Sequence, residues 1–144
     1  MLDDVMQYDP EANGVWPELD VAYKQLVDVV IPRLLGVLQS EGRQITPALV
    51  HGDMWENNVG LGMKTGNPVL FDPECGYGHN EMGFGTWPCT WAYNVASPIY
   101  LRKYLCHTES SEPAEEWDDR NWLYSIYPYI TDSAGCPGSL SRKM

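Results

Sequence analysis

A chain of 144 residues, 44% hydrophobic and 12% aromatic, is the size of one domain and carries enough apolar side chain to build a core. Its formal charge of −11 leaves no contiguous basic surface to neutralise phosphates, which argues against nucleic acid or an anionic membrane as a partner. No apolar run approaches the ~18 residues of a membrane helix, and Cys75, Cys89, Cys106 and Cys136 show neither C-x-x-C pairs nor regular spacing. The N-terminus has no basic n-region and no apolar h-region, so the expectation is a cytoplasmic protein with reduced thiols.

Residues 1–16 are polar and turn-rich, with D-P and N-G pairs, and read as a loose lead-in to a domain over 17–138. Pro17 is suited to the first position of a helix, whose apolar stripe runs through Leu19, Ala22, Leu26, Val30, Leu34 and Val37 or Leu38. Pro32 removes a backbone donor from that helix and kinks or splits it. Gly42 suits the left-handed stop after Ser40-Glu41. Ala48-Leu49-Val50 then reads as a short buried strand that delivers the polar loop His51-Gly52-Asp53. Val59 to Phe71 is apolar, turn, apolar; with Thr65-Gly66 at the tip, Val59 faces Asp72 and brings Asn58 and Asp72 to the open end of a hairpin. Ser97-Pro98 caps and starts a helix to Leu105. Glu115 to Asp119 places acids on the first turn of another, with Trp122, Leu123, Ile126 and Tyr127 on its packed face and Pro128 ending or bending it. Residues 139–144 read as a frayed tail.

The chemistry concentrates in Asp53, in Asn58 five positions later, and in Asp72. Mg²⁺ is a hard cation held by one or two protein oxygens together with substrate phosphates. Asn58 and Asp72 supply such a pair, which leaves Asp53 to orient a hydroxyl nucleophile and accept its proton. D-x-x-x-x-N followed by a strand-borne aspartate is the catalytic-loop and metal-loop pattern of kinases, with H-G-D in place of H-R-D. His51 reads as a brace for the loop. Trp55 either stacks on a sugar or anchors the loop in the core.

Four segments carry a resemblance: I-P-R-L-L at 31–35, P-A-L-V-H-G-D-M-W-E-N-N-V-G at 47–60, P-V-L-F-D-P-E-C-G-Y-G-H-N-E at 68–81 and D-D-R-N-W-L-Y at 118–124. They resemble the fructosamine kinase family, the ketosamine or protein-ribulosamine 3-kinases, most closely its fungal members. The resemblance implies an α+β fold of the protein-kinase-like, aminoglycoside-phosphotransferase type, mostly helical, with a short hairpin carrying the catalytic and metal loops. It also implies use of ATP and Mg²⁺ to phosphorylate the 3-hydroxyl of a ketosamine on a protein lysine, after which the adduct is lost and the protein is deglycated. By position Asp53 matches the catalytic base and Asn58 and Asp72 the metal pair. Trp55, His79 and Glu81 are candidates for holding the acceptor or bracing the metal loop. Where relatives often carry an acid after E-M or E-Y, this chain has Gly83-Phe84-Gly85.

Such kinases also need a small N-terminal lobe with a glycine-rich loop and a strand lysine. Upstream of His51 the only lysine is Lys24, within the helical stripe, and the glycines form no G-x-G-x-x-G. The expectation is therefore the large lobe of the family, with the N-terminal lobe absent. Two alternatives accompany it. One is an inactive kinase-like lobe that acts as a binding module. The other is a metal-dependent phosphoesterase with His51, Asp53, Asp72, His79 and Glu81 as zinc or manganese ligands.

Overall fold

Five α-helices and two small antiparallel sheets make up residues 2–139 and 141, which are those described by the computed structural model. In chain order they are α1 (Leu2–Asn13), α2 (Pro17–Gln25), α3 (Ile31–Gly36), β1 (Ala48–Val50), β2 (Val59–Leu61), β3 (Pro68–Leu70), β4 (Gly76–Gly78), α4 (Pro98–Leu105) and α5 (Trp117–Gly135). Among the described residues no helix is long and apolar enough to cross a membrane.

The expected loose lead-in is instead helix α1, and tertiary docking is the reason. Asp9 is buried against α5, where Ser133 Oγ donates to its Oδ1 at 2.9 Å and Asn13 Nδ2 donates to the Ser133 carbonyl at 2.8 Å. Asp3 and Asp4 lie in the first turn, where the helix dipole favours acids. Pro17 stands at the start of α2, and Pro32 splits the following stripe in a specific way. Leu26–Val30 forms a wider π-type turn in which the Ile31 N–H reaches back to the Leu26 carbonyl. One extra residue in the turn absorbs the donor that Pro32 lacks. Leu26, Leu34 and Leu38 are buried, whereas Ala22 on the same stripe is exposed.

α5 is the long central helix. Pro128 lies inside it and does not end it. Leu123 is buried beside Leu26 and Leu34, but Trp122 is 59% exposed, so the packed face is rotated from the expected one. A second cluster of Phe84, Trp87, Ala92, Val95 and Trp117 fills the space between α4, α5 and the loop after β1, with Phe84 edge-on to both Trp87 and Tyr104 at 4.6 Å.

The hairpin register differs from the expected one. Val59 pairs with Leu70 and Leu61 with Pro68, so Asp72 lies beyond the strand pair and not opposite Val59. The turn is longer than a two-residue tip: Gly62 N–H bonds the Asn67 carbonyl at 2.9 Å, and Gly66 takes φ +68° within it. A second pairing was not foreseen. β1 runs antiparallel to β4, with Val50 opposite Gly76, so the loop leaving β1 and the loop entering β4 start side by side. Leu49, Leu61, Leu70, Phe71 and Tyr77 on these sheets are exposed.

Candidate active site

The two sheets hold two loops against each other. The first, His51 to Asn58, leaves β1 and ends in a 3₁₀ turn at Glu56–Asn58; the second, Phe71 to Cys75, joins β3 to β4. Their contact is fixed at both ends. The Phe71 N–H donates to the Asn58 carbonyl at 3.1 Å, and His51 Nε2 lies 3.1 Å from the Phe71 carbonyl. His51 therefore braces the loop.

Gly52 sits where the loops come closest, at φ +84°, and a Cβ there would overlap the backbone carbonyl of Glu74. Both the backbone angle and the space require glycine. Gly52→Ala is expected to destabilise the protein by about 1–3 kcal/mol, from a strained φ and overpacking. An unchanged denaturant midpoint for that variant would show that the loops do not press on each other as described.

Asp53 and Asn58 meet directly. Asn58 Nδ2 donates to Asp53 Oδ2 at 2.8 Å and to the Asp53 carbonyl at 2.8 Å, and Trp55 Nε1 donates to the same Oδ2 at 3.2 Å. One carboxylate oxygen of Asp53 is thus held by two donors, and Oδ1 accepts from none of the described residues. Asn58 is buried and its amide is oriented by these bonds, which leaves Oδ1 as the free end. Trp55 also packs, with Met54, against the core cluster, so its ring anchors the loop while its N–H orients the aspartate.

Asp72 stands in the abutting loop, one residue past Phe71, in the left-handed region at φ +54°. That region is open to aspartate more readily than to most residues. It is exposed, and among the described residues no hydrogen bond joins its side chain to Asp53 or Asn58. Carboxylate and amide oxygens are the hard donors that magnesium prefers, so the residues present fit that ion.

His79 and Glu81 are engaged with α5 and the segment at 111–113. Glu81 and Arg120 are 1% and 0% exposed and form a two-point pair, Nε to Oε2 at 2.6 Å and Nη2 to Oε1 at 3.0 Å. Arg120 also donates to the carbonyls of Pro113 and Ser111, and the Ser111 N–H donates to Glu81. His79 is buried between the Tyr124 hydroxyl and Ser111 Oγ, each at 2.7 Å. Burial pushes its imidazole below the ordinary value, the Glu81 carboxylate opposing and the Arg120 guanidinium adding to the effect. Burial likewise raises the Tyr124 phenol. With every polar atom of Glu81 engaged, it holds the segment after β4 to α5.

The same geometry removes the phosphoesterase alternative. His79 and Glu81 face α5 and the 111–113 segment, and among the described residues no three His, Cys, Asp or Glu side chains are grouped to hold a metal.

Beside Asp53 opens a cavity of about 480 Å³, walled by Trp55 and Glu74 from the two loops, Trp91 and Tyr93 from the segment before α4, and Tyr127 and Asp132 from α5. Neither Asn58 nor Asp72 lines it, so Asp53 stands between the cavity and the amide. Glu56 fixes the near wall: its Oε1 accepts from the N–H groups of Tyr93 at 2.7 Å and Asn94 at 3.1 Å. Burial alone pushes the Glu56 carboxyl up, but these and neighbouring backbone donors outweigh it and hold it below the usual range. Burial, with help from Asp132 and then Asp53, pushes the Cys89 thiol up to about 12.

The site thus combines a fixed aspartate, an oriented amide beside it, and a second carboxylate in the adjoining loop. The sequence profile of the fructosamine kinase family matches residues 8–135, and the chain belongs to that family. The kinase-like fold follows from membership, and the mixed helices and small sheets agree with it. The chain is 33% identical over 90 residues to a chloroplastic protein-ribulosamine 3-kinase of Oryza sativa subsp. japonica, covering 62% of this chain and 24% of that protein. It is 36% identical over 107 residues to a probable ketoamine kinase of Synechocystis, covering 69% and 30%. To a ketosamine-3-kinase of Mus musculus it is 34% identical over 73 residues, covering 46% and 23%. The matched segments thus span less than a third of the length of these relatives.

Proposed function

We propose that this chain is the large lobe of an ATP- and magnesium-dependent kinase that phosphorylates the 3-hydroxyl of a ketosamine on a protein lysine, in the service of deglycation. The observation that carries the reading is the Asp53–Asn58 bond: one carboxylate oxygen is pinned by two donors while the other stays open beside a cavity. In this reading the acceptor sugar lies in the cavity with its hydroxyl on Asp53 Oδ1, which takes the proton as the oxygen attacks the terminal phosphorus of ATP and the bond from that phosphorus to the bridging oxygen breaks, releasing ADP. Asn58 Oδ1 and the Asp72 carboxylate would hold magnesium. When bound, that ion supplies charge neutralisation and alignment of the phosphate oxygens. Trp55 keeps Asp53 from rotating away, so the orientation of the base is set before the acceptor arrives.

Two measurements test this. Incubation with ATP, Mg²⁺ and a fructosyl- or ribulosyl-lysine peptide is expected to add one phosphate to the peptide, read by mass. A folded protein that transfers none under any metal supports the binding-module alternative. Calorimetric titration of this chain with ATP and Mg²⁺ is expected to give weak binding, with a dissociation constant of about 100 μM or more. Sub-micromolar affinity would show that the phosphates need no second lobe.

A further inference from the structure

Between Glu81 and Glu109 the chain has no aspartate or glutamate, although it holds 20 acids in 144 residues. Arg102 and Lys103, side by side on α4, are the arginine and lysine of that stretch. This interval of positive charge is the exception in a chain of −11, and Lys103 lines a cavity of about 650 Å³ that the phosphotransfer site does not use. The cavity walls are the rings of Phe84, Trp87, Tyr100 and Tyr104. Phe84 stands edge-on to Trp87 and Tyr104 at 4.6 Å, and Trp87 edge-on to Tyr100 at 6.4 Å. The volume is within the usual range for a small ligand.

The polar groups around this cavity divide into those already engaged and those left open. Trp87 Nε1 donates to the Met54 carbonyl at 3.1 Å, and the Tyr104 hydroxyl accepts from Asn80 Nδ2 at 3.0 Å. Glu56, the one acid of the lining, turns its Oε1 to the N–H groups of Tyr93 and Asn94, so its charge is met from within. Among the described residues no hydrogen bond or ion pair engages the side chains of Lys103, His107 or Asn94, all of which line the cavity. What stays open is thus a cation and N–H donors at the edge of an aromatic chamber. That combination selects an anion carried on an apolar ring. A sugar or a nucleotide leaves the aromatic wall without a partner, and Lys103 repels a cation.

We propose that this cavity binds a small aromatic carboxylate, its ring among Trp87, Tyr100 and Tyr104 and its carboxylate on Lys103. The site is distinct from the cavity beside Asp53, although the two share one loop. Asp53 and Trp55 line the first cavity, Met54 and Glu56 the second; Tyr93 lines the first, Asn94 the second. A ligand here touches the loop that carries Asp53 without filling the space beside that carboxylate. The inference concerns binding alone and stands without the phosphotransfer reading.

The test is calorimetric titration of the chain with hydrocinnamate, with hydrocinnamamide and with propionate. The aromatic acid is expected to bind about tenfold more tightly than its amide, the scale of one charge-assisted hydrogen bond. Propionate, which lacks the ring, is expected to give no binding heat at millimolar concentration. Lys103→Met keeps the apolar stem and is expected to weaken the acid about tenfold while leaving the amide unchanged. Tyr100→Ala removes an exposed ring without opening the core, and is expected to weaken acid and amide alike by a few-fold. Arg102→Met removes the same charge from the neighbouring position of α4, outside this lining, and is expected to change neither ligand.

Equal binding of the aromatic acid and its amide, binding of neither at millimolar concentration, or an equal loss in Arg102→Met overturns the proposal. So does a Lys103→Met variant that keeps full affinity for the acid. If that variant does not fold, unchanged binding in Tyr100→Ala has the same force. Refusal of the acid by a chain that self-associates through α4, or that takes up an acidic peptide there, makes the surface a protein-docking face and overturns the small-ligand assignment as well. Phosphate transfer, present or lost, bears only on the reading beside Asp53.

Discussion

Replacing Asp53 by asparagine is expected to lower the turnover of ketosamine phosphorylation by about 10²–10⁴-fold, the usual contribution of a positioned general base. The substitution is nearly isosteric, so the loop should survive it. Its amide can present an oxygen to Asn58 Nδ2 and Trp55 Nε1 in place of Oδ2. What it then presents to the cavity is an NH₂ group, which cannot accept a proton from a hydroxyl. The loss should therefore fall on kcat, with KM for the acceptor changed little, because the proposed reading gives the sugar to the cavity walls and only its proton to the base. Initial rates at saturating ATP separate the two constants. Turnover within a few-fold of the parent would remove Asp53 from the role of base.

Glu81→Gln is expected to cost about 3–5 kcal/mol of folding stability, a large share of what a domain of this size has. The carboxylate and Arg120 are both fully buried, so water does not screen the pair and none is at hand to replace it. With glutamine, Arg120 keeps its two backbone carbonyl partners but loses its counter-charge. The pH sign follows from the neighbouring imidazole. Burial depresses the His79 pKa in the folded state, so His79 contributes stability that is complete above its unfolded value near 6.5 and lost as pH falls through the lower folded value. The parent protein is expected to weaken on that acidic side. Removing both charges, as Glu81→Leu with Arg120→Leu, should cost less than the sum of the single changes, since no lone charge is left behind. Denaturant titration of the singles and the double measures this coupling. A cost below about 1 kcal/mol for Glu81→Gln would mean that the pair is not sealed from water.

What the residues disclose about themselves depends on how far their partners lie along the chain. Pro17 and Ser97-Pro98 mark helix starts, because the reason for each is local: a missing donor placed where no donor is needed. The Asp53–Asn58 spacing is legible for the same reason, since both members share one loop. The hairpin register is not legible, because the turn uses six residues and a strand pattern this short does not specify its own pairing. Helix α1 is hidden because its docking partner is Ser133 on α5, while the D-P and N-G pairs point locally to turns.

Arg120 carries a legible signal in the sequence. It is the only lysine or arginine between Lys103 and Arg142, and it falls three positions after buried Trp117 and three before buried Leu123. A charge on the inward stripe of a helix demands a buried partner of opposite sign. The acid of G-H-x-E is such a partner. Asp132, Trp91 and Tyr93 gave no comparable signal, because only the folding of α5 across the loops brings them to Asp53.

The carboxamide of Asn58 faces two ways, and this explains its identity at that position. Its nitrogen end grips one acid, and its oxygen end is left over for whatever needs a lone pair. Aspartate would set like charge against like, leucine would abandon both duties, and glutamine would overshoot by one carbon at a buried position. Of the twenty side chains, the short amide alone is hermaphrodite enough to serve both neighbours at that reach.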